Sequence, residues 1–330
     1  MRVFVTGIAG FGGAGLARRL VEAGHYVVGC DTVAPEEAWR IRDLIDEERI
    51  GYIWAAVEDL RATDDDLERP DKVVHMAAVA DVSAGHSMPM HTMRTNILET
   101  VHLLELCRSW TGRPHVILAG TAHELEAAGD VLLDEDSPIQ PGTPYGFSKA
   151  CQELAVRTWG RAWDIPWTVM RNGIVAGRNM RRQIAPYLWC RSILRDRPTL
   201  LHDPTQTRDL TDARDTMEAW LRAVEAPEDR VAGQVLQVSR GIEVTVGGLL
   251  EMCYAACEEI VGHRIRRQIQ IGQPRPGEAG MRERFDCSRT RRILGWEPRY
   301  SPCDTIRDVA EWVAEELHIR PAVGAGRTEG

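Results

Sequence analysis

"RVFVTGIAGFGGAGLARRLVEAGHYVVGCD", residues 2–31, decides the fold. Residues 2–6 form an apolar run that reads as a short buried strand. Residues 13–24 carry apolar side chains at helical spacing and close on Gly24, and residues 25–31 read as a second strand. Strand, helix and strand in this compass make a βαβ unit. Within it "TGIAGFGG" puts Gly7, Gly10 and Gly13 in the turn that opens the helix. Glycine has no side chain to block the approach of a pyrophosphate, and the helix start offers unbonded N–H groups and a positive dipole end. Asp31 closes the second strand about 20 residues later, where a carboxylate accepts hydrogen bonds from an adenosine ribose. Its charge repels a ribose 2′-phosphate, and no cation stands in "DTVAPEEA", residues 31–38, to offset it. The expected cofactor is therefore NAD rather than NADP.

Further strands are expected at residues 72–75 ("KVVH"), 115–119 ("HVILA"), 167–170 and 235–238, with helices such as "NILETVHLLELCRSW" (96–110) between them. Strands alternating with helices imply a doubly wound parallel sheet covered on both faces, an α/β fold. The 330 residues, 44% hydrophobic, suffice for a large core, and the net charge of −9 with mixed signs argues against nucleic-acid or membrane partners. Neither a leader pattern at residues 1–10 nor a long apolar run interrupts this picture, so a cytoplasmic protein is expected. The eight cysteines include no CxxC pair and read as buried reduced thiols. His75, His86 and His123 lack the spacing of a metal site, and none is expected.

"YGFSK", residues 145–149, carries one of only two lysines in the chain. Tyr145 and Lys149, at i and i+4, share a helix face. A tyrosine ionises near pH 10, so its use as a base near neutrality requires about 4 kcal/mol of phenolate stabilisation. A neighbouring ammonium supplies much of that.

Taken together, "TGIAGFGG", "YGFSK" and the hydroxyl residue of "AGTAHE" (119–124) resemble the extended short-chain dehydrogenase/reductase superfamily, especially its nucleotide-sugar epimerases and dehydratases. "HMAA" (75–78), "NILET" (96–100), "TRDLTDARD" (207–215), "RPGE" (275–278) and "LGWEP" (294–298) are similar to further family motifs in the same order. The resemblance implies an NAD-binding Rossmann domain over residues 1–172, with a segment near 208–240 returning to it. It implies a smaller, mainly substrate-binding domain over 173–320, and 321–330 reads as a tail. By the same resemblance Tyr145 is the general base, Lys149 holds the nicotinamide ribose and lowers the phenol's pKa, Thr121 orients the substrate hydroxyl, and Asn96 is the fourth catalytic member. Phe11, Asp59, Leu60, Ala77 and Ala78 join the glycines and Asp31 around the cofactor. His123, Glu124, Asn172, Gln183, Arg208, Arg275 and Glu278 would contact substrate, with Arg208 and Arg275 as a diphosphate clamp. Two helices carrying Trp110, Trp159 and Trp163 would pair with their copies in a homodimer.

The chain also departs from the family pattern. "GTAHELEAAG" (120–129) lacks the usual tyrosine-glycine. If Thr121 takes the hydroxyl position, His123 falls where dehydratases and decarboxylases carry a catalytic glutamate; if Glu124 takes the glutamate position, Ala122 replaces the hydroxyl. In "RNGIVAGR" (171–178) Ile174 replaces the asparagine that commonly touches the sugar-nucleotide phosphate. The leading expectation is an NAD-dependent nucleotide-sugar 4-epimerase. A 4,6-dehydratase or decarboxylase using Glu124, an alcohol dehydrogenase on a non-nucleotide substrate, and a cofactor-binding regulator without catalysis are the alternatives.

Overall fold

The opening βαβ unit forms as read: β1 (Arg2–Thr6), α1 (Phe11–Glu22) and β2 (Tyr26–Asp31). The structure is a computed structural model that describes residues 1–62, 67, 69–110, 112–125, 131–273 and 282–322. Strands β3 (Gly51–Trp54), β4 (Lys72–His75), β5 (His115–Thr121) and β6 (Trp167–Asn172) follow, then the short β7 (Ile174–Ala176), β8 (Thr199–Leu201) and β9 (Thr207–Asp212). After these come β10 (Gln234–Val238), β11 (Glu243–Thr245) and β12 (Ile269–Ile271). The helices after α1 are, in order, α2 (Arg42–Asp46), α3 (Val82–Ser87), α4 (Pro89–Met93), α5 (Glu99–Ser109), α6 (Pro144–Trp163) and α7 (Ala185–Leu194). They continue with α8 (Ala213–Glu225), α9 (Glu228–Val231), α10 (Val246–Val261), α11 (Ser288–Leu294) and α12 (Pro302–Glu316). None of these is long and apolar enough to cross a membrane.

The central sheet runs β10-β6-β5-β4-β1-β2-β3, every neighbour parallel. Its order reverses at β1 beside β4, the switch point where doubly wound sheets bind ligands at the carboxyl ends of their strands. Side chains alternate across β1: Val3 and Val5 join Leu16 and Leu20 of α1 and Trp220 of α8 on one face. Phe4 joins Leu103 of α5 and Val156 of α6 on the other. Truncating a leucine such as Leu16 to alanine in so packed a layer costs about 2–5 kcal/mol. A separate core gathers α7, α10 and α12 around Tyr187, Cys190, Leu250, Cys257 and Val313. Phe11, at the first position of α1, packs against it and so ties the glycine turn to this second layer. The eight cysteines are free and six are buried.

β4 matches its sequence reading, while β5 and β6 run two residues further, to Thr121 and Asn172, which are register partners. β3, an edge strand with an exposed Trp54, has no apolar alternation and escaped that reading. The helix read from Asn96 starts at Glu99, because residues 94–98 wind as one wide π turn ahead of it. Trp110 is buried in the core, and Trp159 and Trp163 lie half-buried against it, their rings 5.3 Å apart.

Candidate functional site

Glycine at positions 7 and 13 is enforced by close approach. Gly7 has φ +70°, and a Cβ there would stand 2.8 Å from the Ala77 nitrogen; one on Gly13 would stand 2.1 Å from the Gly7 carbonyl oxygen. The Gly10 N–H donates to that same oxygen at 3.1 Å, which closes the turn. α1 then begins without a side-chain cap on Gly10 and without an acidic residue in its first turn, so its N-terminal dipole meets no built-in anion. Asp31 is fixed at the end of β2: one carboxylate oxygen accepts from the Ala9 N–H at 2.9 Å, the other from the Val33 N–H at 3.1 Å. Ala77 and Ala78 are half-buried on the stretch leaving β4, and the Ala77 N–H donates to Thr6 Oγ1 at 3.1 Å. Leu60 is buried and Asp59 exposed at the end of a 3₁₀ turn after β3. This bare, glycine-lined cradle between β1 and β4 fits a dinucleotide.

At the next strand pair, Thr121 ends β5 and α6 starts beneath it. Thr143 caps α6 by accepting from the Gly146 N–H at 3.0 Å, and Pro144 preorganises its first turn. A Cβ on Gly146 would lie 2.2 Å from the His123 carbonyl oxygen, so only glycine lets α6 approach the β5 turn this closely. Tyr145 and Lys149 are both buried. Burial pushes the phenol up to about 12, opposed by a hydrogen bond with Thr121 and by the Arg181 charge. Burial also brings the Lys149 ammonium down to about 8, and its Nζ donates to Gln152 Oε1. The His123 and Tyr145 rings meet edge to face at 5.8 Å. All the strands involved are parallel, so the phenol and the glycine turn stand at the same edge of the sheet.

The NAD dependent epimerase/dehydratase family model matches residues 3–239, the span that contains every one of these groups. The chain belongs to that family. Its cofactor is accordingly NAD, and it is an enzyme of the epimerase/dehydratase type. It is similar to a UDP-glucose 4-epimerase of Mycolicibacterium smegmatis, 27% identical over 94% of this chain and 98% of that one. It is also similar to a dTDP-glucose 4,6-dehydratase of Neisseria gonorrhoeae, 26% identical over 94% of each. Its fold matches the crystal structure of UDP-glucuronic acid 4-epimerase from Bacillus cereus in complex with UDP-glucuronic acid and NAD. That match has a TM-score of 0.86 at 24% identity, over 96% of this chain and 100% of that one.

Other residues of the resemblance sit deeper or further out in this family member. Asn96 is buried with its amide fully used: Oδ1 accepts from the Val79 N–H at 2.7 Å, and Nδ2 donates to the Val79 carbonyl at 3.2 Å and to Ser148 Oγ at 2.8 Å. It braces the stretch after β4 against α6. Glu124 is also interior. Its Oε1 accepts from the Thr121 N–H at 2.7 Å, and its other oxygen lies 3.6 Å from Arg171 Nε. Arg171 itself makes a forked pair with Glu153, at 2.9 and 2.7 Å. Burial and the Glu153 charge hold the Glu124 carboxyl well above the usual range, which favours its protonated form. At this turn it is the His123 ring that meets Tyr145, while the Glu124 carboxyl bonds within the fold.

Asn172 is turned into the fold, accepting from Trp220 Nε1 at 3.0 Å and donating to the Met170 carbonyl at 3.1 Å. Gln183 is exposed just ahead of α7. Arg208 on β9 donates to Gln206 Oε1 and to the Thr207 carbonyl, both at 2.9 Å, and lies 3.8 Å from Glu283. Arg275 and Glu278 lie outside the described residues.

Three residues near the site had no signal in the sequence. Arg181, 3.6 Å from Asp81, acts on Tyr145 from the segment before α7. Arg40 stacks on Trp39 at 4.3 Å, donates to the Asn179 carbonyl at 2.9 Å, and bears electrostatically on Asp31. Gln152, one turn beyond Ser148, takes up Lys149.

Proposed function

We propose that this chain is a nucleotide-sugar 4-epimerase. One observation carries the reading: a buried phenol hydrogen-bonded to Thr121, one helical turn from a buried lysine, stands over the same sheet edge as a glycine cradle suited to a dinucleotide. As phenolate, Tyr145 takes the proton of the sugar's C4 hydroxyl while Thr121 orients that hydroxyl. After the ketone turns over, C4 regains the hydride on its opposite face and the phenol returns its proton to the C4 oxygen. NAD, when bound between Gly7, Gly13 and Asp31, supplies the hydride acceptor and a positive ring beside the phenol. Bringing a phenol pushed up to about 12 into use at neutral pH requires about 7 kcal/mol, the burden that falls on nearby cations. Lys149 is the charge one turn away. An Asp31 carboxylate favours NAD, which suits a shuttle in which hydride leaves and returns within one site.

Arg208 is the diphosphate ligand in this reading, with His123 beside the sugar. Residues 1–172 with 208–240 form the cofactor half and 173–320 most of the substrate half, which is supported by the separate apolar core of α7, α10 and α12. The protein works as a homodimer through α5 and α6; Leu98, just ahead of α5, and Phe147 and Leu154 on α6 are 62%, 50% and 50% exposed. Elimination of water is disfavoured by the interior position of Glu124. Incubation with UDP-glucose, UDP-glucuronate and dTDP-glucose separates the chemistries. An isomeric product without lasting NADH is expected, whereas a 4-keto-6-deoxy product, or NADH released with a free ketone, would overturn the epimerase reading.

A further inference from the structure

Below the cleft lies a closed chain of polar side chains whose directions can be worked out. Thr100 Oγ1 donates its one proton to the Asn96 carbonyl at 2.6 Å, so it can only accept from its other neighbours. Those are Gln152 Nε2 at 2.6 Å and His75 Nε2 at 2.8 Å. His75, which burial brings down to about 3, is neutral, so its proton is on Nε2 and its Nδ1 accepts from Thr6 Oγ1 at 2.7 Å. Thr6 Oγ1 in turn accepts from the Ala77 N–H. The amide of Gln152 is thereby oriented from both ends: its nitrogen is committed to Thr100, and its oxygen receives the ammonium of Lys149. The 3.4 Å approach of Gln152 Nε2 to His75 Nε2 brings two donors together and is no hydrogen bond. All these side chains are buried.

We propose that Gln152 is a positioning residue that keeps Lys149 charged and registers it, through Thr100, His75 and Thr6, against the glycine turn. The inference rests on the reading of Tyr145 as base and Lys149 as its cation. No other side chain type of this reach serves: glutamate has no donor for Thr100, leucine lacks both functions, and asparagine is one methylene short. Other groups act on this pair as well. Glu124, from the turn after β5, supports the Lys149 charge only in its ionised form, which burial disfavours, while His75, from β4, is neutral. Arg181, Asp81 and Glu124 act on Tyr145, and behind them Arg171 and Glu153 neutralise each other.

The chain has only two lysines, so selective labelling of lysine side-chain nitrogen gives two resonances, assigned with Lys72→Arg. In Gln152→Leu the Lys149 titration midpoint is expected to fall by about one pH unit, and in Thr100→Val by less, because burial is then offset by fewer partners. The acid limb of kcat/KM against pH moves upward with it, with KM little changed. A Lys149 midpoint unchanged in Gln152→Leu, or in Thr100→Val should the first variant not fold, overturns the proposal. Tyr145→Phe with near-normal turnover instead removes the base reading beneath it, independently of where Lys149 titrates.

Discussion

Gly13 lies against Gly7 so closely that a Cβ on the former would sit 2.1 Å from the carbonyl oxygen of the latter. Backbone, and no flexible side chain, would have to yield. Gly13→Ala is therefore expected to displace the start of α1 and the turn around Gly7 and Gly10 together. Isothermal titration should show NAD affinity reduced at least tenfold, with the apolar layer of Leu16 and Leu20 still folded by circular dichroism. Unaltered NAD binding would mean that the turn does not carry the dinucleotide.

The buried fork between Arg171 and Glu153 predicts a second result. Removing one partner of such a pair strands the other charge in the interior, which costs about 3–5 kcal/mol. Glu153→Gln should lower stability in urea unfolding by that order. Glu124→Gln, which replaces a carboxyl whose neutral form burial favours, should change stability by less than about 1 kcal/mol and leave turnover within a few-fold of the parent. A loss of turnover by orders of magnitude in Glu124→Gln would restore this residue as an acid–base group.

His115 is buried between Lys72 Nζ at 3.1 Å and Thr168 Oγ1 at 2.8 Å, and burial and the lysine charge bring it down to about 3. Its folded pKa is thus below the unfolded value of about 6.5, so the unfolded chain binds the extra proton between those limits. The stability it contributes as a neutral ring is fully present above pH about 6.5 and is lost as pH falls towards 3. Compared with His115→Gln, the parent should lose about 1.4 kcal/mol more per pH unit below 6.5, measured by urea unfolding at several pH values. Parallel stability profiles would contradict the neutral, buried ring.

Phe147 and Leu154 are two helical turns apart on α6 and both exposed, an apolar stripe on that helix, and Leu98, just ahead of α5, is exposed as well. Leu154→Arg should convert a dimer to a monomer by light scattering at micromolar concentration without lowering the melting temperature of the monomer. A parent protein that is already monomeric would refute the dimer.

Much of this was legible because the decisive signals are local. The glycine turn, Asp31 at a strand end, and Tyr145 with Lys149 on one helix face each follow from spacing along a single element. What was not legible comes from distant segments folded together. Gln152 reads as an ordinary polar helix position until Thr100 and His75 close around it. Arg181 and Arg40 have no motif, and tertiary contacts alone bring them beside Tyr145 and Asp31. Glu124 and Asn96 were expected in the site from their place in the motifs, and nothing in those motifs showed where their side chains would bond. One turn of backbone directs Glu124 onto Arg171, and the π turn directs Asn96 onto Val79. Of the tryptophans expected in the core or at an interface, Trp110 lies in the core, and Trp159 and Trp163 are half-buried, with Trp159 Nε1 donating to Glu105 at 2.6 Å. Leucine and phenylalanine take the outer face.

In the proposed reaction hydride leaves and returns to the same sugar carbon beside Tyr145. Turnover of a nucleotide sugar deuterated at C4, in ordinary water, tests it most directly. The isomeric product is expected to keep the deuterium at C4 with its configuration there inverted, and Tyr145→Phe to abolish the reaction with NAD binding retained. Deuterium lost to solvent, or inversion at C4 undiminished in Tyr145→Phe, would contradict it.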